Sequence, residues 1–289
     1  MNCYDLGGHS GCKILLMEED DGFLFVRKIS KDKEYNNRLK KQCEKQVSFK
    51  GGKIKAPIVY KSGLSKEGLF YFDMEYVQGM TLAEYVKSME IGKVRGLVEV
   101  LVDNLIPKQK KEISAEDSNI ITDIFDNKIS SLRHTLLSHK NSIVEQSLDL
   151  LEVHDWTSLI PSQCHGDLTL ENIIIKNDNL YFIDFLDSFY DSWLMDMGTL
   201  LQDVQVMWSY RNNTSIGMNT VLRLIVFRDL LLDEIRKIDS GYILEIYYAL
   251  LQKMIRIYPY IKDRETYDFL NKKTAIVLKT INKLKQEEL

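Results

Sequence analysis

One stretch of 22 residues, CHGDLTLENIIIKNDNLYFIDF at positions 164–185, constrains the fold of this chain more than any other. Two apolar runs, NIIIK and LYFID, flank a turn of Asn and Asp, which tolerate left-handed backbone. This pattern predicts a β-hairpin. If the turn is centred on Asp178, the residues that face each other across the strands are Ile173 with Ile183, Ile175 with Tyr181, and Asn172 with Asp184.

The polar ends of this hairpin predict a metal site beside a base. Directly opposed side chains have Cβ atoms about 5 Å apart. An amide oxygen of Asn172 and a carboxylate of Asp184 at that spacing can hold Mg²⁺, whose coordination is completed by phosphates and water. Asp167 lies five residues before Asn172 on the entering loop, where it can receive a proton from a hydroxyl. A base and a metal clamp together indicate phosphoryl transfer, and the alternative is a polar surface loop before an ordinary hairpin.

The composition narrows the classes of protein. The chain has 289 residues, of which 45% are hydrophobic and 28% charged, so it can fold as a large globular protein. A net charge of -4 gives no reason to expect a nucleic-acid or membrane partner. The four cysteines form no CxxC pair, and neither a signal peptide nor a membrane-spanning run is evident. We expect a soluble cytoplasmic protein, with its oligomeric state left open.

The order of apolar patterns predicts an α+β fold with two lobes. Residues 1–77 show the order β-β-β-α-β-β, and the helix NNRLKKQCEKQVSF carries Leu39, Cys43 and Val47 at helical spacing. Residues 78–289 are mainly helical. The sequence therefore predicts a small β-rich N-terminal lobe with one helix and a larger helical C-terminal lobe, joined by a short hinge at VQGM.

Start signals support the helices of the second lobe. Ser114 with Asp117, and Ser142 with Glu145, have the spacing of capping boxes before apolar-periodic stretches. Beyond residue 200, three long runs alternate apolar and charged faces, which is typical of packed scaffold helices.

At the opening stretch the sequence resembles the aminoglycoside phosphotransferase and choline kinase family, which has a protein-kinase-like bilobal fold. HGDLTLEN fits that family's HGDxxxxN loop, and YFIDF fits its second metal-binding stretch. The resemblance implies that Asp167 is the catalytic base, that Asn172 and Asp184 hold magnesium, and that His165 orients the loop. It further implies ATP as the cofactor with Mg²⁺, and it gives Asp196 the task of supporting the loop through backbone hydrogen bonds.

A glycine-rich turn at the start of the chain is a candidate phosphate-binding loop. LGGHSG supplies Gly7, Gly8 and Gly11, which would let the backbone approach phosphate closely. The turn leaves only six residues for the preceding strand, so that strand must be very short or frayed. A plain glycine turn is the alternative.

The strand FLFVRKIS supplies the candidate lysine for the nucleotide phosphates. Strand alternation puts Val26 and Lys28 on one face and Phe25 and Arg27 on the other. We assign Val26 to the adenine and Lys28 to the phosphates, with Arg27 as the fallback. A solvated pair of strand charges is the alternative.

A kinase-like site also needs a helix carboxylate to hold that lysine and backbone groups at the hinge for adenine. We assign Glu44 as the partner of Lys28, with Glu34 as an alternative, although Glu44 could instead pair along its own helix. FYFDMEYVQG resembles the family's hinge, which places Glu75 and Val77 beside adenine.

The spacing after the hairpin favours a small acceptor. Only twelve positions separate Asp184 from Asp196, too few for the peptide platform of a typical protein kinase. The predicted partner is therefore a small molecule with a hydroxyl group, such as an amino-sugar, a sugar or a choline-like alcohol. The candidate recognition residues, each of which could equally be core or solvated surface, are Asp187, Ser188, Asp191, Trp193, Trp208 and Tyr210.

Two other classes of function stay open at this point. The first is a regulatory nucleotide-binding module without turnover, a pseudokinase, which would bind nucleotide but transfer nothing. The second is a purely structural helical protein, whose melting temperature would not respond to magnesium and nucleotide.

Overall fold

The computed structural model describes residues 2–7, 11–108, 113–139, 141–212 and 216–287. The chain forms two compact units. The first contains the residues up to Leu82 together with His165–Asp167 and Glu171–Ser188, and the second contains Ala83–Cys164, Leu168–Leu170 and the chain from Phe189 onward. The hairpin thus groups with the N-terminal segment. The predicted boundary between the two lobes at residue 77 stays a prediction.

Nine strands are found in the described ranges, all of them in the first unit. They are β1 Asn2–Asp5, β2 Lys13–Glu18, β3 Leu24–Ile29, β4 Ile54–Lys55, β5 Val59–Leu64, β6 Phe70–Glu75, β7 Met80–Thr81, β8 Ile173–Lys176 and β9 Asn179–Phe182. One antiparallel sheet has the order β1-β2-β3-β6-β5, and a second has the order β4-β9-β8-β7 with β4 parallel to β9. The first strand is short, as predicted, and fully exposed.

Helix α1, Asn36–Ser48, packs on the larger sheet. Its buried face contains Leu39 and Cys43, as predicted, which join Cys12, Val26, Phe72 and Met74 in one apolar core. Val47, the third residue of the predicted stripe, is 65% exposed, and Gln42 and Gln46 are buried instead. The helix is therefore rotated relative to the apolar stripe, and two amide side chains enter the core.

The predicted hairpin exists, but its predicted register is wrong by one residue. Asn177 and Asp178 both have positive φ, 50° and 60°, which is the two-residue type I′ turn that matches strand twist. A two-residue turn has no central residue. The pairs are therefore Ile173 with Phe182, Ile174 with Tyr181, and Ile175 with Leu180.

This register changes the neighbour of Asn172. The Asn172 carbonyl accepts a hydrogen bond of 3.0 Å from the Ile183 amide, and Asp184 follows one residue later with a φ of 61°. Asn172 and Asp184 are thus not a cross-strand pair.

The second unit is built from helices. They are α2 Leu82–Ser88, which begins at the last residue of the first unit's N-terminal segment, α3 Lys93–Leu105, α4 Ala115–Thr135, α5 Ser142–Glu152, α6 Trp193–Val204, α7 Met218–Ile238, α8 Gly241–Ile255 and α9 Arg264–Glu287. Every residue of α6 is buried, and this helix packs mainly on α8. None of the helices in the described ranges combines the length and the apolar character needed to cross a bilayer.

Side-chain caps begin two of these helices, α4 and α5. Ser114 accepts a hydrogen bond from the Asp117 amide, which confirms the first predicted capping box. At α5 the cap is Asn141, whose side chain accepts from the amides of Ile143 and Val144, so the predicted start at Ser142 is wrong by one residue. The predicted α+β class, with a β-rich N-terminal region and a helical C-terminal region, is confirmed.

Candidate active site

Residues 165–172, which match the HGDxxxxN motif, are called the catalytic loop below, after the role predicted for them. His165, which is fully buried, holds this loop. Its Nε2 donates a 2.7 Å bond to the Ile183 carbonyl, and its Nδ1 accepts a 3.2 Å bond from the Asp167 amide. This pair of bonds assigns the proton to Nε2 of a neutral imidazole. His165 thus fixes the backbone of Asp167 against the hairpin, which agrees with its predicted orienting role.

Gly166 permits the turn between these two residues. Its φ is +93°, and a Cβ placed on it would lie 2.8 Å from the Leu186 carbonyl oxygen and 2.3 Å from Ser188 Oγ. A side chain would therefore be strained in conformation and would collide with backbone.

Asp167 and Asn172 are brought together at the two ends of the loop. Asn172 Nδ2 donates to the Asp167 carbonyl at 2.8 Å and approaches Asp167 Oδ2 at 3.4 Å. Both side chains are half-buried. Because the amide nitrogen is used in this contact, the Asn172 Oδ1 atom is the group available to a cation.

Lys28 meets Asp184 although 156 positions separate them in the chain. The Lys28 side chain is 3% exposed and forms an ion pair with the Asp184 carboxylate, which is 34% exposed. Asp184 has a φ of 61°, in the left-handed region. Asp adopts this region more readily than most residues other than glycine.

The predicted helix partner of Lys28 is wrong. Lys28 Nζ donates to Gln42 Oε1 at 3.1 Å, and Gln42 Nε2 donates to the Tyr35 hydroxyl at 3.2 Å. Glu44 lies on the exposed face of α1, 63% exposed, and pairs with Lys40 at 3.8 Å. The rotation of α1 explains the difference, because positions 42 and 46 share the buried face with Leu39 and Cys43.

Gln42 is the residue that the sequence reasoning missed. A lysine partner is expected to be a carboxylate, and Gln42 is an amide. The available signal was the spacing of Gln42 and Gln46, four residues apart beside Leu39 and Cys43. The consequence is electrostatic: the helix offers Lys28 a neutral acceptor, so the only charged group that the described structure pairs with Lys28 is Asp184.

Arg27, the fallback, faces away from this site. It forms two hydrogen bonds with Asp73, at 2.6 and 2.8 Å, and its guanidinium lies 4.7 Å from the Tyr71 ring centroid. The hydrogen bond to Asp73 raises the pKa of Arg27. Arg27 therefore belongs to the sheet, and Lys28 keeps the assignment to phosphate.

The glycine-rich turn lies between β1 and β2. Gly7 and Gly11 have φ values of 69° and 76°, and the Gly7 amide donates to Asp5 Oδ1 at 2.8 Å. Gly8 lies outside the described residues. The phosphate-binding assignment of the three glycines stays a prediction.

The hinge residues lie at and beyond the end of β6. The Glu75 amide donates to the Ile58 carbonyl at 2.8 Å, and Val77 is buried. Val26 faces Met74 across the paired strands and belongs to the apolar core. The adenine contacts predicted for Val26, Glu75 and Val77 stay predictions.

In the second unit, Asp203 supports the catalytic loop. It is fully buried and accepts hydrogen bonds from the Leu170 amide at 2.7 Å, the Ser209 amide at 2.9 Å and Ser209 Oγ at 2.8 Å. The family resemblance predicts that Asp196 supports the loop. Asp196 is also buried, and this role stays a prediction. A charged residue near the end of the apolar run of α6 was the signal for Asp203.

Most of the predicted acceptor residues are engaged in packing. In the first unit, Asp187 lies 3.9 Å from Lys41, and Ser188 Oγ accepts from Lys45 at 3.2 Å. In the second unit, Trp193 is buried against Tyr242, and the Tyr210 hydroxyl donates to the Ala83 carbonyl at 2.6 Å.

Two of the aromatic candidates each have a cation of the chain near the ring. The Arg211 guanidinium lies 4.2 Å from the Trp208 ring centroid, and Lys87 Nζ lies 5.9 Å from that of Tyr210. The assignment of these aromatic residues to acceptor recognition stays a prediction. Asp191 accepts a hydrogen bond of 3.5 Å from the Cys164 thiol.

The oxygen atoms at the loop and hairpin fit a hard cation. Asn172 Oδ1 and the Asp184 carboxylate are the kinds of ligand that Mg²⁺ takes in proteins, where phosphates and water supply the rest. No group of three His, Cys, Asp or Glu side chains within the described ranges could hold a metal by itself.

With this geometry in place, the class of fold is defined by comparison with solved structures. An apo thermostable mutant of aminoglycoside phosphotransferase APH(4)-Ia superposes with a TM-score of 0.61 at 14% identity, covering 97% of this chain and 94% of that one. A variant in a ternary complex with ADP and hygromycin B gives 0.62 at 14% identity, covering 96% and 93%. An ethanolamine kinase from Plasmodium vivax gives 0.51 at 15% identity, covering 96% and 81%.

No protein-family model matches the chain, and no curated protein matches it in sequence. The chain has the protein-kinase-like bilobal fold of these phosphotransferases, as predicted. Its resemblance to them is confirmed at the level of the fold.

Proposed function

We propose that this protein is a magnesium-requiring phosphotransferase that moves the γ-phosphate of ATP to a hydroxyl of a small molecule. The observation that carries the proposal is the contact of Lys28 with Asp184. Lys28 was assigned to the phosphates and Asp184 to magnesium from different parts of the sequence. In the chain, 156 positions separate them. ADP and hygromycin B in the complex of the APH(4)-Ia variant support a nucleotide and a small hydroxyl compound as ligands of this fold.

The proposed chemistry assigns one task to each residue. Asp167 accepts the proton of the acceptor hydroxyl while that oxygen forms a bond to the γ-phosphorus. The bond from the γ-phosphorus to the bridging oxygen breaks, and ADP leaves with that electron pair. Lys28 binds the nucleotide phosphates, Asn172 and Asp184 hold Mg²⁺, and His165 keeps Asp167 in place. Magnesium, when bound, neutralises the charge on the phosphates.

The four cysteines are all free thiols, which fits the cytoplasm, where ATP and magnesium are available. A cytoplasmic location is therefore part of the proposal.

The test is an ADP-release screen over sugars, sugar acids, sugar phosphates, amino-sugars and choline-like alcohols, with Asp167→Asn as the paired variant. Loss of a general base lowers the rate by about 10²–10⁴-fold. We expect one acceptor class to stimulate ADP release, and we expect the variant to lose that stimulation while magnesium and ATP still raise its melting temperature. Equal turnover by the variant would remove the base assignment. Nucleotide binding without turnover over the whole panel would favour the pseudokinase.

A further inference from the structure

Two aromatic rings in the second unit each carry a cation of the chain. Trp208 and Phe269 have ring centroids 6.4 Å apart, the Arg211 guanidinium lies 4.2 Å from the Trp208 centroid, and Lys273 Nζ lies 5.4 Å from the Phe269 centroid. All four side chains are half-buried. Trp208, Arg211, Phe269 and Lys273 are called the Trp208 cluster below.

Within the described ranges, the two cations of this cluster have no carboxylate partner. Among the described residues, no Asp or Glu lies within salt-bridge distance of Arg211 or Lys273, and Arg211 donates only to the Trp208 carbonyl, at 3.0 Å. Burial lowers the pKa of Lys273, and the neighbouring charge of Lys272 lowers it further. A partly buried cation without a counter-ion is costly, and a bound anion would remove that cost.

The cluster is tied to the catalytic loop. The Trp208–Tyr210 helical turn contains Ser209, whose amide and hydroxyl donate to the buried Asp203 carboxylate. The same carboxylate accepts from the amide of Leu170, three residues after Asp167 in the sequence. Within the second unit, one buried side chain therefore joins the Trp208–Tyr210 turn to Leu170.

We propose that the Trp208 cluster binds an anionic group of the acceptor, a carboxylate or a phosphate, while its rings pack against the carbon frame of the same molecule. This inference rests on the proposed phosphotransferase function and gives its acceptor class. The acceptor is then an acidic hydroxyl compound, such as a sugar acid or a sugar phosphate. A polycationic amino-sugar or a choline-like alcohol would meet Arg211 and Lys273 with like charge.

The test reads binding at the cluster itself. The chain has three tryptophans, so protein labelled with ¹⁵N-tryptophan gives three indole signals, and Trp208→Phe assigns the one from the cluster. The probes are glucuronate and glucose 6-phosphate as the two anions, glucose as the neutral control and glucosamine as the cation. All are titrated into the full chain with MgADP present.

We expect both anions, or the one whose group the cluster prefers, to shift the Trp208 signal with at least roughly ten times the affinity of glucose, and glucosamine to bind no better than glucose. Hydrogen bonds to charged groups contribute about 1.5–3 kcal/mol, which corresponds to roughly 10–100-fold in affinity. The double substitution Arg211→Gln with Lys273→Gln should remove that preference. The matched control, Arg264→Gln with Lys279→Gln, removes the same charge from exposed positions of α9 and should keep it.

The proposal is overturned if glucosamine binds as tightly as the anions, if no anion shifts the Trp208 signal, or if the cluster variant binds them unchanged. Its failure can be separated from failure of the proposed function. If magnesium and ATP raise the melting temperature while the anions do not bind, the acceptor assignment fails and nucleotide binding stands. If the anions bind and ATP does not, the anion site stands without the phosphotransferase.

Discussion

Two regions meet at the same site: the catalytic loop with its hairpin, and helix α1. They are held in different ways. Most of the bonds that fix the loop lie within residues 165–183, from His165 to Ile183 and to Asp167 and from Asn172 to Asp167, and the Leu170 amide also donates to Asp203. Helix α1 is fixed by side chains that reach distant segments: Gln42 to Lys28, Gln46 to the Pro57 carbonyl, and Lys45 to the Leu186 carbonyl. The loop therefore takes most of its geometry from its own residues, whereas α1 takes its geometry from the rest of the first unit.

The sharpest challenge to this largely local bonding of the loop is Gly166→Ala. At a φ of +93° and 2.8 Å from the Leu186 carbonyl, the added Cβ should lower the free energy of unfolding by roughly 3 kcal/mol or more. Denaturant unfolding measures this loss. The control is Gly96→Ala on an exposed turn of α3, which should stabilise the protein by about 0.5–1 kcal/mol. Equal effects of the two substitutions would show that the loop is not packed as described.

The next comparison separates the two neighbouring cations of β3. Lys28→Met should weaken ATP binding by roughly 100-fold, because a charge-assisted hydrogen bond contributes about 1.5–3 kcal/mol. Arg27→Met should leave ATP affinity unchanged and lower only the melting temperature, since it leaves the buried Asp73 without its partner. Calorimetric titration with ATP measures both. The reverse order would return the phosphate assignment to Arg27.

Within α1, the comparison is between the two candidate partners of Lys28. Gln42→Ala should lower kcat/KM by about 10-fold, because Lys28 loses the bond that positions it on the helix side. Glu44→Gln should change stability by less than about 0.5 kcal/mol and leave turnover alone, since its pair with Lys40 is exposed. Steady-state kinetics with the acceptor found in the screen decides between them. A larger effect at Glu44 would restore the partner predicted from the sequence.

The smallest expected effect concerns the packing of α1. Burial raises the pKa of the Cys43 thiol from 9.0 to about 11. In the unfolded chain the thiol ionises first, so its contribution to stability is complete below pH 9.0 and is lost as the pH rises through about 11. The melting-temperature difference between the native protein and Cys43→Ala should therefore shrink between about pH 9 and about pH 11. A difference independent of pH would mean that Cys43 is open to solvent.

The contrast between the two regions also explains what the sequence could predict. The HGDxxxxN motif and the hairpin could be predicted because their patterns are local. Strand alternation alone also puts Lys28 and Arg27 on opposite faces, and the two residues do have different partners. The hairpin register failed by one residue because Asn and Asp suit several turns, and only the backbone at Asn177 and Asp178 selects the two-residue form.

The partner of Lys28 could not be predicted in the same way. The rotation of α1 depends on how Leu39 and Cys43 pack against Phe72 and Met74, which are distant in the sequence. The apolar stripe that ends at Val47 predicts a buried face that differs from the observed one by part of a helical turn. This difference is large enough to put Gln42, and not Glu44, on the buried face. Likewise, the support that Asp203 gives to Leu170 joins two segments that no local pattern connects.

In the proposed function, Asp184 holds the metal of a metal–nucleotide complex. Mn²⁺ in place of Mg²⁺, titrated with ATP and followed by electron paramagnetic resonance, tests it without knowledge of the acceptor. Asp184→Asn should weaken binding of Mn²⁺–ATP by roughly 100-fold or more, because loss of even an outer partner of a metal ligand costs about 10–100-fold. Asp187→Asn, at a carboxylate 3.9 Å from Lys41, should bind as the native protein does. Undiminished binding of Mn²⁺–ATP by Asp184→Asn would show that Asp184 does not hold the metal.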